Sequence, residues 1–411
     1  MPTGVNIVQN GRVWLVSLCL ECKMKENFEF WILNSKFVIT MAGLYFHIPF
    51  CKRICSYCDF FRVVRLNLLE SVLQAMHTEL EEQRNFLLDK KIDTIYFGGG
   101  TPSLLKPEQL QSLIDHAAQL FDCSGVGEIT VEANPDDITA EWVERLRATS
   151  INRVSLGVQS FDDAELKFMN RRHTAHEAEQ AVGRLQDAGI GNITIDLIFG
   201  VDGFGEEVLA QSIERALALG VQHVSAYHLT IEPDTAFGRR LGRGQMKQVD
   251  ESQSELEYMM LHNSLTGAGF EHYEVSNYAL PGFRAKHNSS YWRGVEYLGI
   301  GAGAHSYNGV ERHFVEQDVE EYIARREWVV ERLSQQDFYN EYVMTALRCA
   351  EGLDLEYVKQ RFGDEALRRV MDGAAQWLAS GDVVVEGGRL WVPAEKFMIS
   401  DAVIESMFEV E

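Results

Sequence analysis

The sequence predicts an α/β protein with six consecutive β-α units and a mostly helical C-terminal domain. Three observations carry this. From residue 44 to about 228, short β-branched or aromatic runs alternate with amphipathic stretches. From about 230 to 312 the chain becomes Gly- and aromatic-rich and irregular. From about 318 onward it reads mainly as helix. The expected organisation is 1–40, 41–230, 231–317 and 318–411.

The strand-like runs are Leu44–Ile48, Thr94–Phe97, Glu128–Val131, Arg153–Val158, Ile193–Phe199 and His223–Leu229. Helix-like stretches at 66–88, 106–120, 139–148, 174–188 and 206–219 separate them. Helices between apolar strands make parallel β-α units. Six in a row curve into a partial barrel or form an open, doubly wound sheet. Either way the ligand side is the carboxyl end of the strands.

The tail predicts helices at 318–332, 336–350, 354–361, 364–379 and 396–408. It also predicts one hairpin, Val383–Glu386 with Arg389–Val392, turning at Gly387-Gly388. Helices followed by a small hairpin are winged-helix-like. The overall charge of −23 argues against nucleic acid as the partner and favours a structural or docking role for this domain.

No apolar run approaches the ~20 residues of a membrane span, so stable membrane insertion is not expected. The longest run, Val13 to Leu20, also lacks the flanks of a signal peptide. The acidic excess and sparse cysteines point to the cytoplasm. Residues 1–40 carry four Lys/Arg and three Asp/Glu and show no sustained period. We expect them to be dispensable, with Met41 as the functional start.

Five of the seven cysteines sit in two tight groups. Cys19-Leu-Glu-Cys22 is a lone CxxC without a partner pair. Cys51-Lys-Arg-Ile-Cys55-Ser-Tyr-Cys58 directly follows the first strand. Three thiolates within eight residues can wrap one inorganic centre. Zinc would want a fourth ligand for a closed site. In a [4Fe–4S] cube three cysteines leave one iron open for an exchangeable ligand. Cys123 and Cys349 are isolated, and the latter, on an apolar helix face, reads as a small buried hydrophobe.

The run Tyr45-Phe-His-Ile-Pro-Phe-Cys-Lys-Arg-Ile-Cys-Ser-Tyr-Cys58 resembles the cluster loop of radical S-adenosylmethionine (SAM) proteins. More narrowly, it resembles the family of oxygen-independent coproporphyrinogen III oxidases. The likeness continues through Phe97-Gly-Gly-Gly-Thr-Pro-Ser103, Val131-Glu-Ala-Asn-Pro135, Gly157-Val-Gln-Ser-Phe161, Asn170-Arg171 and Ile195-Asp-Leu-Ile-Phe-Gly200. It covers essentially 44–411. It implies a partial (β/α)6, TIM-like radical SAM barrel with Cys51, Cys55 and Cys58 on a [4Fe–4S] cluster. SAM would chelate the fourth iron, and an electron donor would be needed to reduce the cluster. Tyr45, Tyr57, Gly99, Gly100, Thr101, Glu132, Gln159, Arg171 and Asp196 match positions that contact SAM. The glycines are also expected to let backbone approach a ligand closely.

One departure separates the branches. The oxidase branch has a further cysteine two residues after the third, and here that position is Phe60. Thr230-Ile-Glu-Pro-Asp-Thr-Ala-Phe237 and His287-Asn-Ser-Ser-Tyr-Trp292 instead resemble the heme chaperone branch, whose pattern is HNxxYW. This implies binding of heme and its transfer to an acceptor protein, without expected porphyrinogen decarboxylation. The alternatives are the oxidase itself and a radical SAM enzyme with another substrate. Heme needs an apolar slot and an axial ligand. His287 is the first candidate, and His305 and His47 are lesser ones. His47 suits a supporting position beside the cluster.

A chain beginning at Met41 is expected to fold and hold its cofactor. Circular dichroism and iron content of that truncation check this; loss of either contradicts it.

Overall fold

The structure is a computed structural model and describes residues 5–9, 12–16 and 42–410. The chain divides into two compact units, 1–40 and 41–411. In the first, β1 (Val5–Gln9) pairs antiparallel with β2 (Arg12–Val16), in register from Val5 with Val16 to Gln9 with Arg12. No period was expected there. Cys19 and Cys22 lie outside the described residues.

The second unit is built on β3 (Ala42–Ile48), β4 (Ile92–Gly99), β5 (Glu128–Ala133), β6 (Arg153–Gln159), β7 (Ile193–Phe199) and β8 (His223–His228). They pair parallel in strict sequence order. A doubly wound sheet would reverse its order part-way. Sequential order with right-handed crossovers keeps every helix on one face, so the sheet curls into a partial barrel. The outer helices are Leu69–Glu82, Pro107–Leu120, Ala140–Leu146, Ala175–Asp187 and Glu206–Ala218.

The strands are not apolar throughout. Leu44, Phe46 and Ile48 of β3 alternate with Gly43, Tyr45 and His47, and Ile95 and Phe97 of β4 alternate with Thr94, Tyr96 and Gly98. The apolar set is buried against the helices, with Phe46 stacked on Phe97 at 4.8 Å. The polar set lines the inside. At its base Arg153 donates to Thr194 Oγ1 at 2.6 Å and lies 3.9 Å from Glu128. A period of two with one polar face is what strands show when each face meets a different medium.

Residues 231–317 are more regular than expected. The helix Glu251–Gly267 is started by Asp250, whose carboxylate accepts from the Gln253 amide at 2.9 Å. Its buried face mixes Ser254 and Glu257 with Tyr258, Leu261 and Leu265, so it carries no clean apolar stripe. β9 (Glu271–Glu274), β10 (Asn277–Ala279), β11 (Tyr297–Ile300), β12 (His305–Tyr307) and β13 (Glu311–Phe314) also arise here. β10 and β9 extend the sheet beyond β8. β11 joins parallel to β3, and β12, β13 and β14 (Val329–Arg332) follow it.

The tail differs from expectation at 318–332, which is the helix Val319–Ala324 followed by β14 rather than one helix. The helices Gln335–Leu347 and Leu355–Ser380 follow, the second broken at Gly363 (φ 91°, ψ 175°). β15 (Leu353–Asp354), β16 (Val384–Glu386) and β17 (Arg389–Trp391) form a small sheet. Its β16–β17 turn places Gly387 and Gly388 at φ 58° and 80°, the positive values a two-residue hairpin turn of this hand demands. One apolar cluster runs from Ala42 to Met407, so barrel and tail share a core. Among the described residues no helix is long and apolar enough to cross a membrane.

Candidate iron–sulfur and cofactor site

The three-cysteine loop leaves the carboxyl end of β3 and is fastened at both ends. Val63 donates its amide to Pro49 O at 2.6 Å, and Cys51 donates to Val63 O at 2.9 Å. The Arg62 guanidinium donates to the carbonyls of Cys58 and Phe60. From the other side of the barrel, Asn170 Nδ2 donates to Ile54 O at 2.7 Å, and Ser56 donates its amide to Met169 O at 2.9 Å. Asn170 achieves this with φ 60°, left-handed backbone that non-glycine residues rarely adopt.

All three cysteines are free thiols. Cys51 is buried, and Cys55 and Cys58 are half-buried. Thr101 Oγ1 donates to Cys51 Sγ at 3.4 Å, and Arg171 donates to Cys55 Sγ at 3.2 Å. Burial pushes the thiols of Cys51 and Cys58 up; Thr101 opposes this at Cys51 and Arg62 at Cys58. Three soft sulfur donors between two guanidinium groups, without carboxylate or imidazole ligands, suit an iron–sulfur cluster. Among the described residues no three His, Cys, Asp or Glu side chains gather at single-ion distance. Sulfurs bound to different corners of a cube stand farther apart than sulfurs bound to one ion.

The barrel interior opens toward this loop. Thr94, Thr130, Arg153, Thr194 and His223, near the base, are buried. Tyr45, Glu132, Gly157 and Asp196, higher up, keep partial exposure, and Tyr227 is exposed. Glu132 accepts from Tyr96 OH at 2.7 Å and from the Gly99 amide at 3.2 Å. Burial, with Asp196 adding to it, pushes its carboxyl up to about 7. Burial raises Asp196 to about 6 against the hydroxyl of Ser225. Two carboxylates held this way are ready for a cation.

Arg171 ties the interior to the cysteines. Besides Cys55 it donates to Asn134 Oδ1 at 2.6 Å and to Gly157 O, and its buried Nε has no partner among the described residues. Asn134 in turn donates to Thr101 Oγ1 at 3.2 Å. Tyr57 is close to Cys55 and Arg171, and its phenol is raised by burial. Gln159 ends β6 with φ 70°, a second strained non-glycine residue. Cys51, Cys55, Tyr57, Thr101 and Arg171 therefore share one mouth. Tyr45, Gly99, Glu132 and Asp196 lie behind it. Arg62 and Asn134 were not singled out as contributors; Arg62 is visible in the sequence only as a charge four residues past Cys58.

The glycines are also crowded by protein. A Cβ on Gly99 (φ 104°) would fall 2.7 Å from the His47 ring, and one on Gly100 would fall 2.7 Å from Phe50 O. At Gly98 it would meet Tyr96, Tyr45 and Glu132. Protein packing excludes side chains at these positions.

His287 is also corrected. It is 1% exposed, with Nδ1 2.8 Å from Thr94 Oγ1 and Nε2 2.8 Å from Tyr291 OH. The amides of Lys286 and His287 each donate to the Glu128 carboxylate at 3.0 Å. Glu128 begins β5, so the helix Lys286–Trp292 plugs the amino end of the barrel, opposite the cysteines. Neither ring nitrogen is free for iron. His47 is likewise committed, between Tyr45 OH and Phe61 O at 3.0 Å each.

Residues 45–216 match the radical SAM superfamily, and residues 333–397 match the HemN C-terminal domain. The chain is 38% identical over 323 residues to the heme chaperone HemW of Lactococcus lactis, covering 77% of this chain and 84% of that protein. It is 34% identical over 375 residues to HemW of Mycobacterium tuberculosis, covering 89% and 94%. The chain belongs to the HemW family of radical SAM proteins. The fold agrees with the solved structure of Escherichia coli HemN, a coproporphyrinogen III oxidase, with a TM-score of 0.77 over 92% of each chain at 20% identity. Against that shared fold, the HemW-family chain carries Phe60, 64% exposed, at the position where the oxidase branch is expected to have its extra cysteine.

Cys55→Ala is expected to abolish the sulfur-to-iron absorption at about 400 nm after anaerobic reconstitution while circular dichroism stays unchanged; full iron content in the variant contradicts this. Glu132 supplies a pH test. Its folded value of about 7 lies above the ordinary 4.5, so unfolding releases a proton between those values and stability falls as pH rises through them. Glu132→Gln is expected to flatten the slope of unfolding free energy across that window in urea titrations of the cofactor-free chain; an unchanged slope contradicts it.

Proposed function

We propose that this protein is a heme chaperone that binds heme and passes it to an acceptor protein, with a [4Fe–4S] cluster and SAM at the barrel mouth. The observation that carries this reading is the similarity to HemW heme chaperones over nearly the whole chain, C-terminal region included. The cysteine at the oxidase-specific position is replaced by Phe60, which has no acid–base or redox capacity, so the oxidase reading is not favoured.

In this reading Cys51, Cys55 and Cys58 hold the cluster, which when bound and reduced supplies one electron to the SAM sulfonium. The chain's own work is to bind and orient. Arg62 and Arg171 offset thiolate charge. The free Nε–H of Arg171 is a donor for a carboxylate. Glu132 and Asp196, raised by burial, return to their ionised forms when an ammonium enters. Tyr45, Tyr57, Gly99, Gly100, Thr101 and Gln159 complete the SAM set proposed from the family likeness. The exposed sides of Cys55 and Cys58 leave a path to an electron donor. Free thiols throughout the described residues suit a cytoplasmic protein.

The test is anaerobic reconstitution followed by iron counting and heme titration on one sample. Both cluster and heme are expected to bind. Adding coproporphyrinogen III, SAM and a reductant is expected to yield no protoporphyrinogen; its formation would establish the oxidase instead.

A further inference from the structure

We propose that His305 supplies the axial nitrogen to heme, at an apolar surface made by the cysteine loop. This rests on the chaperone reading. Of the chain's 12 histidines, every one but His305 commits a ring nitrogen to a hydrogen bond within the described residues. His305 opens β12, is exposed, and makes no such bond. Its ring stacks on Phe314 of the neighbouring strand, with centroids 5.0 Å apart and planes 17° apart. Stacking fixes the plane of the imidazole and leaves its nitrogen edge open. Partial burial of the ring, with Arg312 beside it and Glu331 opposing, lowers its pKa, which favours the neutral form that ligates iron.

The surface beside it suits the porphyrin. Gly303, two residues before His305, packs so closely on Phe61 that a Cβ would fall 3.0 Å from that side chain. Phe61 is exposed, and so are Ile54, Phe60, Val64 and Leu66 of the same loop. Large apolar side chains are seldom left in water within one short segment unless something covers them. A flat apolar macrocycle whose centre binds one more nitrogen matches a free imidazole beside exposed phenylalanines. A protein partner would use the apolar side chains but has no need of the unpaired imidazole. The buried alternatives, His287 and His47, have no nitrogen to give.

The test is a titration of the full chain with ferric heme, followed at the Soret band. The wild-type chain is expected to bind with the spectrum of an imidazole complex. His305→Ala is expected to weaken binding by at least about tenfold and to shift the band, with free imidazole restoring it. His305→Gln, which keeps the packing on Phe314, is expected to show the same loss, and circular dichroism checks that both variants fold. Phe60→Ser is expected to weaken binding without moving the band. Unchanged affinity and spectrum in both His305 variants overturn the assignment and leave the chaperone reading standing. A wild-type chain that takes up no heme overturns both.

Discussion

Three sulfurs can share one inorganic centre only if the loop that carries them is held open in a fixed shape. Here backbone does most of the holding. The loop is tied to its own return segment through Pro49, Cys51 and Val63, and to the far side of the barrel through Met169 and Asn170. A loop of this length pays conformational entropy when ordered, and these bonds offset part of that cost. The strain at Asn170 and Gln159 is located where the interior meets the loop, the kind of place where proteins hold unfavourable backbone for function.

The barrel interior follows from the same constraint. A cavity that receives a charged, hydrogen-bonding guest cannot be filled with aliphatic side chains, so the inner face of each strand is polar. Most of the buried polar groups have a partner, Arg153 with Thr194, Tyr96 with Glu132 and Arg171 with Asn134, while Thr130 Oγ1, His223 Nδ1 and Arg171 Nε have none among the described residues. The amino end is closed by the helix Lys286–Trp292, whose first amides meet Glu128. One end is thus sealed by hydrogen bonds, and the other opens toward the cysteines. The HNxxYW segment is part of the seal.

Features encoded over a few residues were the legible ones. The Cys51–Cys58 spacing, the Gly387-Gly388 turn and the Gly363 break can be read within one turn or loop. The helix Glu251–Gly267 was missed because its buried face includes Ser254 and Glu257, whose partners come from elsewhere, such as the Gly200 amide on Glu257 at 2.7 Å. Arg171 could be matched to a motif, but not to its sulfur. His287 and His305 were both heme candidates in the sequence, and only burial and hydrogen bonding told them apart.

The succession of β-α units along the chain and the triad of cysteines were determined by the sequence itself, because each is a local pattern. Tertiary structure decided which charges face which sulfurs, which glycines are crowded, which end of the barrel is closed, and which histidine keeps both ring nitrogens out of hydrogen bonds among the described residues. Those outcomes depend on pairs of residues far apart in the chain. Local propensity does not encode them, because their energies exist only once the sheet has curled and its two ends have acquired different neighbours.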